Sequence, residues 1–204
     1  DSSVTGVQTC ALPILQYMRS IPTTALTNPY KRIMKAVAQS LFEMKLNTKI
    51  KIVESEVIEG DLAQYDPATD TILVTREGLS SNTLLHEIIH AGTVKVINEY
   101  LYGNKKSLTD GQLKAVQQLE RIMNETRDSL AQDHPAAYKD LFEFVAYALT
   151  SDQLQQDLHD QSLIYPDAQK VFTALGMANE DIQTNLPTLK SQWSAFKLSI
   201  ARIL

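Results

Sequence analysis

Cysteine is nearly missing from this chain of 204 residues, with Cys10 the one example, and that excludes both a disulfide framework and a cluster of thiolate metal ligands. Glycine and proline are scarce too, seven of each, about 7% of the positions against roughly 12% in an average protein. A turn-rich sandwich or barrel is therefore disfavoured, and long helices are favoured. No apolar run approaches the roughly 20 residues of a membrane-spanning helix, and the short stretch Ala11 to Leu15 lacks the basic leader of a secretory signal. Positive charge is also not in excess: 19 Lys and Arg face 24 Asp and Glu, a net charge of −5, which argues against a nucleic-acid grip. There is no internal repeat and no low-complexity tract. With 44% apolar residues, the chain has the composition of a domain that can bury a core.

Residues 4 to 14, VTGVQTCALPI, resemble the translation of a sequencing adapter and share no pattern with the rest of the chain. Residues 1 to 14 are accordingly expected to be non-native. The remainder, 15 to 204, reads as a single domain, a piece of a larger polypeptide, with no cysteine at all. Composition leaves the compartment open, with cytoplasmic and virion-associated locations both compatible.

Periodicity orders the rest of the chain. Asn28 and Pro29 start a helix expected to run to about Leu46, with Val37, Leu41 and Met44 on its apolar face. Lys49 to Val53 alternates with period two and predicts a strand. Leu62 to Tyr65 and Thr71 to Arg76 flank the turn-forming Asp66 to Asp70 and predict a hairpin. Ser80, Ser81 and Asn82 offer caps for a long helix ending near Gly103. Thr109 and Gln112 form a capping box for the next, Pro135 is expected to open another that runs to about Leu149, and Ser151 to Leu158 and Pro166 to Leu175 read as short helices. A last helix, about Leu189 to Leu204, aligns Trp193, Phe196, Ile200 and Ile203.

Chemistry enters within the long helix, at His86-Glu87-Ile88-Ile89-His90. Four histidines and eleven glutamates scattered at random would produce an HExxH string in about four of a thousand such chains, so the motif carries information. Residues four apart on a helix stand one above the other, separated by about 6 Å of rise, and two imidazoles can then converge on one cation. Glu87, one position beyond His86, can reach a water on that cation without ligating it. The expected ion is Zn2+, and the expected reaction is hydrolysis of a peptide bond in a protein or peptide substrate, with Glu87 as general base. The competing reading makes His86 and His90 ordinary histidines of an amphipathic helix.

A catalytic zinc needs a third protein ligand. Thr93 and Val96 occupy the places where a metzincin carries Gly and His, and outside residues 1 to 14 there is no upstream cysteine of the deformylase type. An acidic ligand remains, and Glu143 is the leading candidate: it is the single charge in the nine residues Leu141 to Leu149, where a carboxylate is costly to bury without a partner. Asp140, Glu120, Glu125, Asp133 and His134 are the alternatives, each among other polar residues. Tyr147, one turn after Glu143, is a candidate hydrogen-bond donor to the developing oxyanion, as are Tyr138 and His134. The strand Thr71 to Arg76, read as an edge strand just before the motif helix, is a candidate to pair with an extended peptide through backbone hydrogen bonds, the alternative being a plain structural strand.

HEIIHAGT after a hairpin strand, followed some fifty residues later by FEFVAYALTSDQLQQDL, resembles the gluzincin-type zincin metallopeptidase domains of large phage and mobile-element polyproteins, over roughly Asp61 to Leu158. The resemblance implies an α+β, zincin-like fold, mainly helical, with a small mixed β-sheet beside the motif helix. It implies His86, His90 and Glu143 as zinc ligands and Glu87 as general base. Tyr147 stands where thermolysin-like members carry an Asp, a departure from the family pattern. From a different functional class comes the alternative of a helical interaction module of a larger phage or mobile-element protein, with a structural or vestigial metal site.

Overall fold

The computed structural model describes residues 9–20, 29–162, 172, 173, 175, 177, 178, 180, 181 and 191–204. They are mainly helical with a small mixed sheet, an α+β arrangement. Two compact units divide the chain, residues 1–94 and 95–204, and the division falls within one helix.

The first unit begins with the two-residue strand β1 (Thr9–Cys10), helix α1 (Ala11–Ser20) and helix α2 (Pro29–Glu43), which packs on α1. Helix α2 starts at the expected proline; Asn28, its expected cap, lies outside the described residues. It stops short of Leu46 because Lys45 turns left-handed, at φ 53°, and its N–H bonds back to the Phe42 carbonyl at 3.0 Å. Strands β2 (Lys49–Ile52), β3 (Ala63–Asp66) and β4 (Thr71–Val74) form a three-stranded mixed sheet, and β1 extends it at the outer edge of β2. The hairpin β3–β4 is antiparallel, with Ala63 opposite Val74 and Asp66 opposite Thr71. Its turn is held by Asp66, whose carboxylate accepts from the Ala68 N–H at 2.9 Å and the Thr69 hydroxyl at 2.5 Å.

β2 runs parallel to β4, Ile50 opposite Ile72, so the strand order is β1-β2-β4-β3. This corrects the expectation of an edge strand at Thr71 to Arg76. β4 has neighbours on both sides and no free backbone row to offer a substrate, because the parallel partner β2 occupies the side that a lone hairpin would leave open.

Helix α3 (Ser81–Leu101) follows four residues of turn and loop after Arg76, and the Ser80 hydroxyl accepts from the Thr83 N–H at 3.1 Å to cap it. In the second unit, Thr109 caps α4 (Asp110–Leu130) with both halves of the expected capping box present. Helix α5 (Leu141–Thr150) then begins six residues later than the Pro135 reading placed it. The reason is Asp140: its backbone is extended, at φ −155°, and its carboxylate accepts the Glu143 N–H at 2.9 Å, so it is the cap. Residues 131–139 form successive turns, among them Ala137 N–H to the His134 carbonyl at 3.1 Å, and Pro135 is accommodated there equally well. Helix α6 (Asp152–Asp160) takes Ser151 as cap, and α7 (Gln192–Ile203) takes Ser191. Leu189 and most of the short helix expected at Pro166 to Leu175 lie outside the described residues. α4 lies along α7 and also meets α5, and α6 packs on both α5 and α7. Trp193 stacks on Phe196 at 5.2 Å between ring centres, and Phe196 meets Phe144 edge-on at 6.0 Å.

Candidate metal centre

Helix α3 presents His86 and His90 one turn apart, and the buried stripe of Leu85, Ile88 and Ile89 anchors that stretch of the helix. Both imidazoles are half-buried. Their Nε2 atoms lie 3.1 Å apart, and the rings meet edge-on at 74° with centres 4.8 Å apart. In a neutral pair one Nε2–H can donate to the other; around a cation, both can turn lone pairs inward. Glu87, on the next position, is a buried carboxylate with 7% of its surface exposed, unusual for a residue without a structural need for charge.

Glu143 occupies the third position of α5, on the turn that Asp140 caps. A negative charge there is favoured by the free N–H groups at the helix start. His86, His90 and Glu143 each offer one ligand atom, and these atoms all lie within 4.8 Å of one another, a group that could hold a metal ion. No second group of three His, Cys, Asp or Glu ligands comes together among the described residues.

Four of the five alternatives to Glu143 have other employment. Glu120 accepts from the Tyr100 hydroxyl at 2.5 Å. Glu125 is held by Arg121 at 2.8 Å and by the Gln192 amide at 3.0 Å. Asp140 is the cap already described, and His134 pairs through Nε2 with Asp157 at 2.6 Å. Asp133 is exposed on the turns after α4. Of the proposed oxyanion donors, Tyr138 is 3% exposed and shares a hydrogen bond with the Thr126 hydroxyl at 2.6 Å, with its ring 5.3 Å from that of Phe144. Burial also raises its pKa, so it stays a neutral packing residue. Tyr147 is half-buried, four positions after Glu143 on the same helix, which puts the two on one face.

The chain matches no family profile, no curated protein and no solved structure. The chemistry therefore rests on the residues themselves. Among the described residues, no helix is long and apolar enough to cross a membrane.

Proposed function

We propose that the chain is a zinc-dependent metallopeptidase of zincin-like fold, which hydrolyses peptide bonds in a protein substrate. The observation that carries the reading is the pair of converging imidazoles with Glu143 within ligand reach and the buried Glu87 beside them. Two nitrogens and one carboxylate oxygen are a donor set that zinc favours, and two imidazoles on a tetrahedral zinc with bonds of about 2.0–2.1 Å stand roughly 3.3 Å apart. The 3.1 Å between the Nε2 atoms is close to that spacing.

A bound zinc ion would supply a Lewis acid and lower the pKa of a coordinated water to about 7. Glu87 is the proton carrier: its carboxylate takes a proton as the water oxygen bonds to the carbonyl carbon, and returns it to the amide nitrogen as the C–N bond breaks. Tyr147 supplies a hydrogen bond to the carbonyl oxygen as that atom gains negative charge. Holding the cation falls to His86, His90 and Glu143.

The test is cleavage of a denatured protein by the zinc-loaded chain and by its Glu87→Gln variant. Loss of about a hundredfold or more in rate at unchanged zinc content is expected, the range for removing a general base. A variant as active as the parent would remove the assignment. Stoichiometric zinc with no cleavage of any protein would favour a structural metal in an interaction module.

A further inference from the structure

Exposed large apolar side chains are few among the described residues, and three of the five, Val57, Leu62 and Leu79, lie on segments that meet at one end of the sheet. Parallel pairing sends β2 and β4 out at the same end, and antiparallel pairing starts β3 there. The Thr75 N–H bonds to the Leu62 carbonyl at 2.9 Å, and the Gly78 backbone lies so close that a side chain at 78 would strike that carbonyl. Leu62 and Leu79 are thereby held as neighbours. Val57 rides on a short 3-10 turn, Ser55–Ile58, pinned by the fully buried Ile58 and closed by Glu59 in the left-handed region at φ 52°. The three are 58%, 54% and 47% exposed in chain order, although each is a residue that burial would stabilise.

Acid surrounds them. Glu54, Glu56, Glu59 and Asp61 lie within eight residues that carry no Lys or Arg, all four are exposed, and Glu77 is exposed on the loop before α3. Arg76 is the one basic residue on these two segments. Such a rim repels nucleic acid and anionic lipid, and a second copy of a chain with net charge −5 is disfavoured in the same way.

From this we infer that the sheet end is a docking surface for a polypeptide segment that combines basic side chains with large apolar ones, the apolar groups covering Val57, Leu62 and Leu79 and the cations meeting the acidic rim. Leu79 precedes the first residue of α3 by two positions, and His86 lies about one and a half turns into that helix. As a substrate-selecting surface it rests on the peptidase reading; as a binding surface it does not.

Fluorescence anisotropy tests it, with the full chain carrying Glu87→Gln and a labelled twelve-residue probe of alternating Lys and Leu. Saturable binding is expected, weakened by added salt, with an otherwise identical Glu and Leu probe binding at least tenfold more weakly. Leu62→Ser and Leu79→Ser should each weaken the Lys and Leu probe about tenfold, the size of effect expected from losing one buried leucine. Both positions are exposed, so circular dichroism should show the fold intact; Glu56→Lys with Glu59→Lys supplies an independent charge-reversed surface and should abolish the preference for the basic probe. Equal binding of both probes, or affinities unchanged in all these variants, overturns the inference. Binding that survives while the unsubstituted chain cleaves nothing removes the peptidase reading alone. Cleavage that proceeds with no preference for basic and apolar sequences near the scissile bond removes the docking role alone.

Discussion

His90 follows His86 by four residues, and the pitch of a helix is enough to bring their rings together; whether the pair is a metal site depends on what else arrives. Glu143 was legible because a lone carboxylate in the run Leu141 to Leu149 has few reasons to be there, and its ligand atom does lie in the group with the two imidazoles. Glu120, His134 and Glu125 could not be dismissed from sequence, since bonds that engage them join distant residues: Tyr100 to Glu120 spans 20 positions, His134 to Asp157 23, and Gln192 to Glu125 67. Glu143→Ala should therefore lower zinc affinity by more than the 10–100-fold typical of losing an outer-sphere partner, while Glu125→Ala should leave it near the parent value. Equilibrium dialysis with zinc at matched protein concentration separates the two. At Tyr147 the expected role is electrophilic: Tyr147→Phe should keep its zinc and lose about a hundredfold in kcat/KM, as when one oxyanion donor is removed.

Among the elements, the caps were the most readable feature and also the place of the main error. Thr109 with Gln112, and Ser80, declare their helices through local chemistry that needs no tertiary context. Pro135 carries the same kind of signal, yet a proline suits a turn as well as a first helical position, and the extended backbone of Asp140 moved the start of α5 to Leu141. The caps Thr109 and Asp140 agree in their expected stability cost and differ in their effect on zinc. Thr109→Ala should cost about 1 kcal/mol of stability and leave zinc affinity unchanged. Asp140→Ala should cost a similar amount and in addition weaken zinc binding, because the bond it removes fixes the backbone N–H of Glu143 itself. Urea denaturation paired with zinc titration reads both effects. The parallel pairing of β2 with β4 was not legible, since the two strands are joined through residues 53–70 and no local pattern distinguishes a central strand from an edge one at this length.

At the scale of the molecule, the scarcity of glycine and proline and the 3.6-residue periodicity indicated long helices, and α2, α3, α4, α6 and α7 lie on the stretches so marked, whereas α1 was not read from the sequence and α5 starts later than Pro135. Burial raises the pKa of both Tyr65 and Tyr100 to about 12 from a usual 10.0, reinforced by Asp70 at Tyr65 and by the hydrogen bond to Glu120 at Tyr100. The neutral phenol is the form the fold favours. Its contribution to stability is fully present below about pH 10 and is lost as pH rises through about 12. Ultraviolet titration should accordingly show late-ionising tyrosines, one of which disappears in Tyr65→Phe. The most direct measurement of the metal assignment is the zinc retained per chain after dialysis against zinc-free buffer. One zinc per parent chain, with retention lost in His86→Ala and His90→Ala, is the expected result; a parent chain that retains none, or variants that retain as much as the parent, would contradict it.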